Sequence, residues 1–147
     1  MLKKLTASIC LLALLLIPSM TQAQNSNRMI VTMVVASNNG SDFNMDNDAY
    51  RDKLTQLFSY SSYVQSDLKK LDMALGETQN LALLEGYNLS LTLKEDTGSS
   101  IVARAVITKD NKNYIDTELS IAKPGIFFMG GPTLSTGDLI LILENGY

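Results

Sequence analysis

The chain has no histidine and no tryptophan, and its one cysteine is Cys10. Each absence removes a class of chemistry. Serine, threonine and cysteine nucleophiles are most often activated by a histidine base, and catalytic zinc is normally held by histidine or cysteine. One thiol closes no disulfide within a chain. Positive charge is also in deficit, with twelve Lys and Arg against fifteen Asp and Glu. Affinity for nucleic acid comes mainly from clustered Lys and Arg meeting phosphates, so no nucleic-acid partner is expected. A Ser–Lys pair or a pair of carboxylates is the only catalytic chemistry left open.

What is present begins with an export pattern. Lys3 and Lys4 give a short positive start, Leu5 to Ile17 is almost wholly apolar, and Pro18 ends the run. Thr21-Gln22-Ala23 then places small side chains at the two positions a signal peptidase accepts. This is the order of a secretory signal, and the run is shorter than the roughly 20 apolar residues of a membrane span. Residues 1–23 are therefore read as a cleaved signal peptide, and residues 24–147 as a single exported domain, periplasmic or extracellular, with no transmembrane anchor. Cys10 lies inside the apolar run, not at its end, which argues against a lipid anchor. Cleavage removes the thiol together with Lys3 and Lys4, leaving ten basic residues against fifteen acidic ones, a net charge of −5. Such a domain has no disulfide and holds its fold by burial alone.

Met29 to Ala36 is a β-branched run with only Thr32 polar, the pattern of a strand covered on both faces. Ser37 to Asn47 is rich in Asn, Ser, Gly and Asp and reads as the longest loop. Asp48 to Ser59 reads as a helix, with Tyr50, Leu54, Leu57 and Phe58 on one stripe and Asp46, Asn47 or Asp48 as its cap. Strands and turns follow. Tyr60 to Leu75 is a long or broken strand, and Thr78 to Leu84 the next. Tyr87, Leu89, Leu91 and Leu93 alternate with polar residues, and Ile101 to Thr108 follows a turn at Asp96-Thr97-Gly98-Ser99. Tyr114 to Ala122 alternates, with Ile115, Leu119 and Ile121 against Asp116, Glu118 and Ser120. Ile126 to Met129 leads into an excursion framed by Gly130-Gly131-Pro132 and Ser135-Thr136-Gly137-Asp138, and Leu139 to Leu143 closes the chain as a strand buried on both faces. The fold class is α+β: a mostly antiparallel sheet of about seven to eight strands, with one amphipathic helix packed on it after the first strand.

Two segments could carry function. Asp42, Asn44, Asp46 and Asp48 place oxygen ligands at alternate positions, like the start of a calcium loop. Asn47 stands where that loop needs glycine, and Lys53 where it needs a bidentate glutamate. The plain alternative is a polar loop that caps the helix. Tyr60 and Tyr63, in Phe58-Ser59-Tyr60-Ser61-Ser62-Tyr63, fit a protein-binding surface, since Tyr offers area and a polar tip. The alternative is that these rings pack the helix onto the sheet. Asp116 and Glu118 share a strand face, and such a pair is usually a solvated polar surface.

Lys123-Pro124-Gly125 with Ile126-Phe127-Phe128-Met129, Gly130-Gly131-Pro132 and the Leu139 to Leu143 strand resembles the closing hairpin in the core of bacterial secretins, the outer-membrane channels of secretion systems. The layout is also similar to small uncharacterised bacterial exported proteins, in Ala36-Ser37-Asn38 after the first strand, Tyr60-Ser61-Ser62-Tyr63 after the helix, and the Gly-Gly-Pro near the end. That likeness implies compartment and fold, and no activity. The expectation is a non-enzymatic accessory domain whose partner is an envelope or secretion-machinery protein. The alternative is a calcium- or small-ligand-binding module using the Ser37–Asp48 loop.

Overall fold

The computed structural model describes residues 26–146. The predicted signal peptide and its cleavage site therefore lie outside the described residues. Among the described residues nine strands run in chain order: β1 (Asn27–Ser37), β2 (Phe43–Asn44), β3 (Ser62–Met73), β4 (Thr78–Ala82), β5 (Asn88–Asp96), β6 (Ser100–Lys109), β7 (Lys112–Ala122), β8 (Gly125–Leu134) and β9 (Gly137–Asn145). A 3₁₀ turn at Asp48–Tyr50 runs directly into the helix α1 (Arg51–Leu57). The strands form two sheets, β2-β3-β1-β9-β8 and β4-β5-β6-β7, here sheets A and B. All pairings are antiparallel except the short β2–β3 contact.

Among the described residues the fold is mostly β with one short α-helix, as the sequence leads one to expect, and its strands are divided between two sheets rather than held in one. The doubly apolar first and last segments explain the arrangement. They pair with each other in the middle of sheet A, Met33 opposite Leu141 and Val34 opposite Ile140. Successive side chains of a strand point to opposite faces, so each of these strands serves two cores. Met29, Val31, Met33, Leu139, Leu141 and Leu143 face sheet B. Val34, Ala36, Ile140 and Ile142 face α1. Among the described residues sheet B is covered on one face only, and its alternation is correspondingly clean: Leu89, Leu91, Leu93, Ile101, Ala103, Ala105, Ile107, Leu119 and Ile121 point inward and are buried. Its outer face carries polar cross-strand pairs such as Thr78–Thr92 at 2.7 Å and Ser90–Asn80 at 2.6 Å.

Polar groups close the two ends of the sandwich. At one end Asp96 accepts from Asn27 Nδ2 at 2.9 Å and from Gly98 N at 2.9 Å, and pairs with Lys123 Nζ at 2.6 Å. These donors, Lys123 first, hold its carboxyl well below the ordinary range, at about 2. At the other end Glu85 accepts from Ser135 N at 2.9 Å, tying the β8–β9 turn to the segment before β5.

Three expectations need correction. The Gly130-Gly131-Pro132 excursion is part of β8, where Gly131 and Pro132 bulge opposite Leu139. A Cβ on Gly131 would lie 2.9 Å from the Leu139 carbonyl oxygen, so only glycine fits. The helix is shorter than Asp48–Ser59, because Phe58 is already extended. Leu57, placed on the inward stripe, is 51% exposed for the same reason: the helix ends there, and Tyr50 and Leu54 carry the contact.

Candidate functional site

The loop after β1 is pinned to sheet A rather than curled around a point. Phe43 and Asn44 pair with Tyr63 and Val64, and the Arg51 guanidinium sits 3.8 Å from the Phe43 ring centroid. Asp46 accepts from Gln65 Nε2 at 2.6 Å while its backbone N–H donates to Gln65 Oε1 at 3.2 Å. Asn47 Oδ1 accepts from Ala49 N at 3.0 Å, the capping role expected of this stretch. Asp42, Asn44, Asp46 and Asp48 are all exposed. Asn44 lies in β2, Asp46 at a bend and Asp48 at the start of the 3₁₀ turn, whereas one calcium ion needs its oxygens at about 2.3–2.6 Å. Among the described residues no three Asp, Glu, His or Cys side chains converge on a metal-sized point.

The two tyrosines part company. Tyr63 is only 2% exposed, so its predicted place on a binding surface is corrected: it is a core residue. Its hydroxyl donates to Phe58 O at 2.8 Å, just past the end of α1, lies 3.2 Å from the Leu54 O that already accepts the Phe58 N–H, and accepts from Tyr60 N at 3.4 Å. Tyr60 packs edge-on against Tyr63, with centroids 6.2 Å apart. Its hydroxyl donates to Asp138 Oδ2 at 2.7 Å, and Thr133 donates to Asp138 Oδ1 at 2.7 Å. Those two donors lower the Asp138 carboxyl, and the same bond raises the Tyr60 hydroxyl. Tyr60 thus keeps a half-buried ring with its polar tip engaged within the fold. The rings fasten the helix, as the structural alternative held. Tyr50 completes the set: burial, then its 2.7 Å bond to Glu144, pushes its hydroxyl up to about 12.

Asp116 and Glu118 do share the outer face of sheet B, and each meets a cation. Arg104 donates to Asp116 through Nε at 2.8 Å and Nη2 at 2.6 Å, which lowers the Asp116 carboxyl. Lys94 pairs with Glu118. This is an ion-paired, exposed surface.

The strand edges are the other candidate surface, and the sequence did not say which strands they are. Sheet A ends at β2 and β8, and sheet B at β4 and β7. β2 has two residues and β4 five. β8 is interrupted by its bulge, and β3, where β2 leaves it uncovered, carries an extra residue at Ser66 and exposed Lys69 and Lys70. Charges and bulges of this kind discourage further pairing. β7 has eleven residues, and Ile115–Ala122 keeps an unbroken register with β6 without Pro or Gly. Among the described residues no strand pairs with its other side. A signal was available: Asp116, Thr117 and Glu118 are three successive polar residues, and Thr117 falls on the core-facing parity yet is exposed. No family model, curated protein or solved structure matches this chain.

Proposed function

We propose that residues 24–147 form an exported, non-enzymatic domain of the periplasm or cell envelope that works by binding protein, as an accessory to an envelope assembly. The observation that carries this reading is the β7 edge, whose backbone N–H and C=O groups are open to an added strand. The export pattern of residues 1–23 supports the compartment, and the absence of histidine and of any thiol after Cys10 supports binding over catalysis. No described helix is long and apolar enough to cross a membrane.

Two measurements on the chain expressed in a bacterial host test the two halves of this role. Intact mass of the exported fraction is expected to match a chain beginning at Gln24; retention of residues 1–23 defeats the export half. A photo-crosslinking side chain at Thr117, on the edge, is compared with one at Val106, in the middle of sheet B. Adducts with envelope proteins are expected from position 117 and not from position 106. Equal labelling, or none from either, defeats the binding half.

A further inference from the structure

The outermost column of sheet B is acidic. Between Tyr114 and Ala122 the only charged side chains of β7 are Asp116 and Glu118. Each has its cation on the inner side, Arg104 from β6 for Asp116 and Lys94 from β5 for Glu118. On the outer side, nothing among the described residues pairs with them. The other face of the same strand is apolar at its margin: Ile115 is half-buried, Leu119 is buried, and half-buried Phe127 of β8 packs on the same core.

A strand added to β7 has side chains that alternate between these two environments. Those on the outer face come within about 5 Å of Asp116 and Glu118. Those on the inner face extend the apolar margin at Ile115 and Phe127. We infer that the β7 edge takes an extended segment in which Lys or Arg alternates with apolar residues. This rests on the protein-binding role proposed above and names its partner class. Cations from such a segment place each carboxylate between two positive groups. In the register centred on Thr117 a second copy of this chain is a poor occupant, since antiparallel pairing there sets Asp116 of one copy opposite Glu118 of the other, and like charges directly opposite are destabilising.

The test is an amide-resolved NMR titration of the purified protein with two short capped peptides, one alternating Val and Lys, the other alternating Val and Glu. Shifts are expected along Ile115–Ala122, with the Lys peptide bound about fivefold more tightly, as two exposed cross-strand ion pairs predict. That preference is expected to fade with added salt and to vanish in D116N/E118Q, whose two sites are exposed and leave the fold intact. Equal binding of both peptides at β7 overturns the basic preference and leaves the protein-binding role standing. The absence of shifts along β7 with both peptides overturns the edge as a binding site altogether.

Discussion

On the inner face of sheet A, aliphatic rows from β1 and β9 meet aliphatic rows from β5, β6 and β7. On its outer face, Val34, Ala36, Ile140 and Ile142 meet Tyr50, Leu54 and Tyr63, with Phe43, Phe58, Tyr60 and Phe128 around them. The inner core is made by two sheets, whose period-2 alternation supplies long rows of branched side chains at no cost in unpaired backbone. The outer core is made by a helix of seven residues and its flanking loops. So short an element brings few side chains and leaves carbonyls over at its end. Rings with a hydroxyl tip meet both needs: they fill volume and bond the backbone where the helix stops, as Tyr63 does at Phe58 O. The inner core is built by pattern, the outer core by a few bonded rings.

The comparison breaks most readily at leucines fully buried in each core. Leu91→Ala, between the sheets, is expected to cost about 4 kcal/mol, since a rigid sandwich cannot collapse onto the void. Leu54→Ala, under the short helix, is expected to cost about 2–3 kcal/mol, because the helix can settle inward. Denaturant unfolding of both variants checks this; equal losses would sink the distinction. Tyr63→Phe keeps the ring and removes the donor, so a loss of about 1–2 kcal/mol is expected if the outer core depends on its hydroxyl. A neutral outcome would reduce that core to plain packing.

The inner core should in turn show an acid weakness at its polar end. Asp96 is held at about 2 in the folded protein, below the ordinary value of about 3.9 for an unpaired Asp. Its contribution is therefore present above about pH 4 and is lost as pH falls through about 2; the site retains some solvent, so about 1 kcal/mol is expected. Asp96→Asn should flatten that part of the stability–pH curve, and an unchanged curve would count against the Lys123 and Asn27 bonds. The smallest effect concerns the loop beside the outer core. Millimolar Ca²⁺ is expected to leave Tm unmoved, because among the described residues no three Asp, Glu, His or Cys side chains come together to hold it. A clear rise in Tm would restore the calcium reading.

The same contrast explains how much could be read in advance. The rows Tyr87, Leu89, Leu91, Leu93 and Ile115, Leu119, Ile121 announced which side faces inward, and the structure buries or half-buries each of them. Thr32, alone in an apolar run, did not disguise a doubly covered strand. In the outer core, local pattern was a poorer guide. Tyr63 resembled a surface aromatic among serines, because only the arrival of α1 overhead buries it. Leu57 fitted the helical stripe, but the chain leaves the helix at the next residue. The Asp42–Asp48 segment offers alternate oxygens in sequence, but only the structure shows that it is divided among β2, a bend at Asp46 and the 3₁₀ turn from Asp48.

By itself the sequence determined the class of the fold, the inward faces of the sheet B strands, the double burial of the first and last strands, and the poverty of catalytic groups. These follow from residue identity and from periodicity along a single strand, which need no partner to be read. Tertiary structure alone decided that there are two sheets, that β1 and β9 are neighbours, that Tyr63 is core, and that β7 is the edge with the longest unbroken register. Each of these depends on which segments meet across a long stretch of chain, and hydrophobic burial, being non-directional, leaves that choice to the packing of the whole.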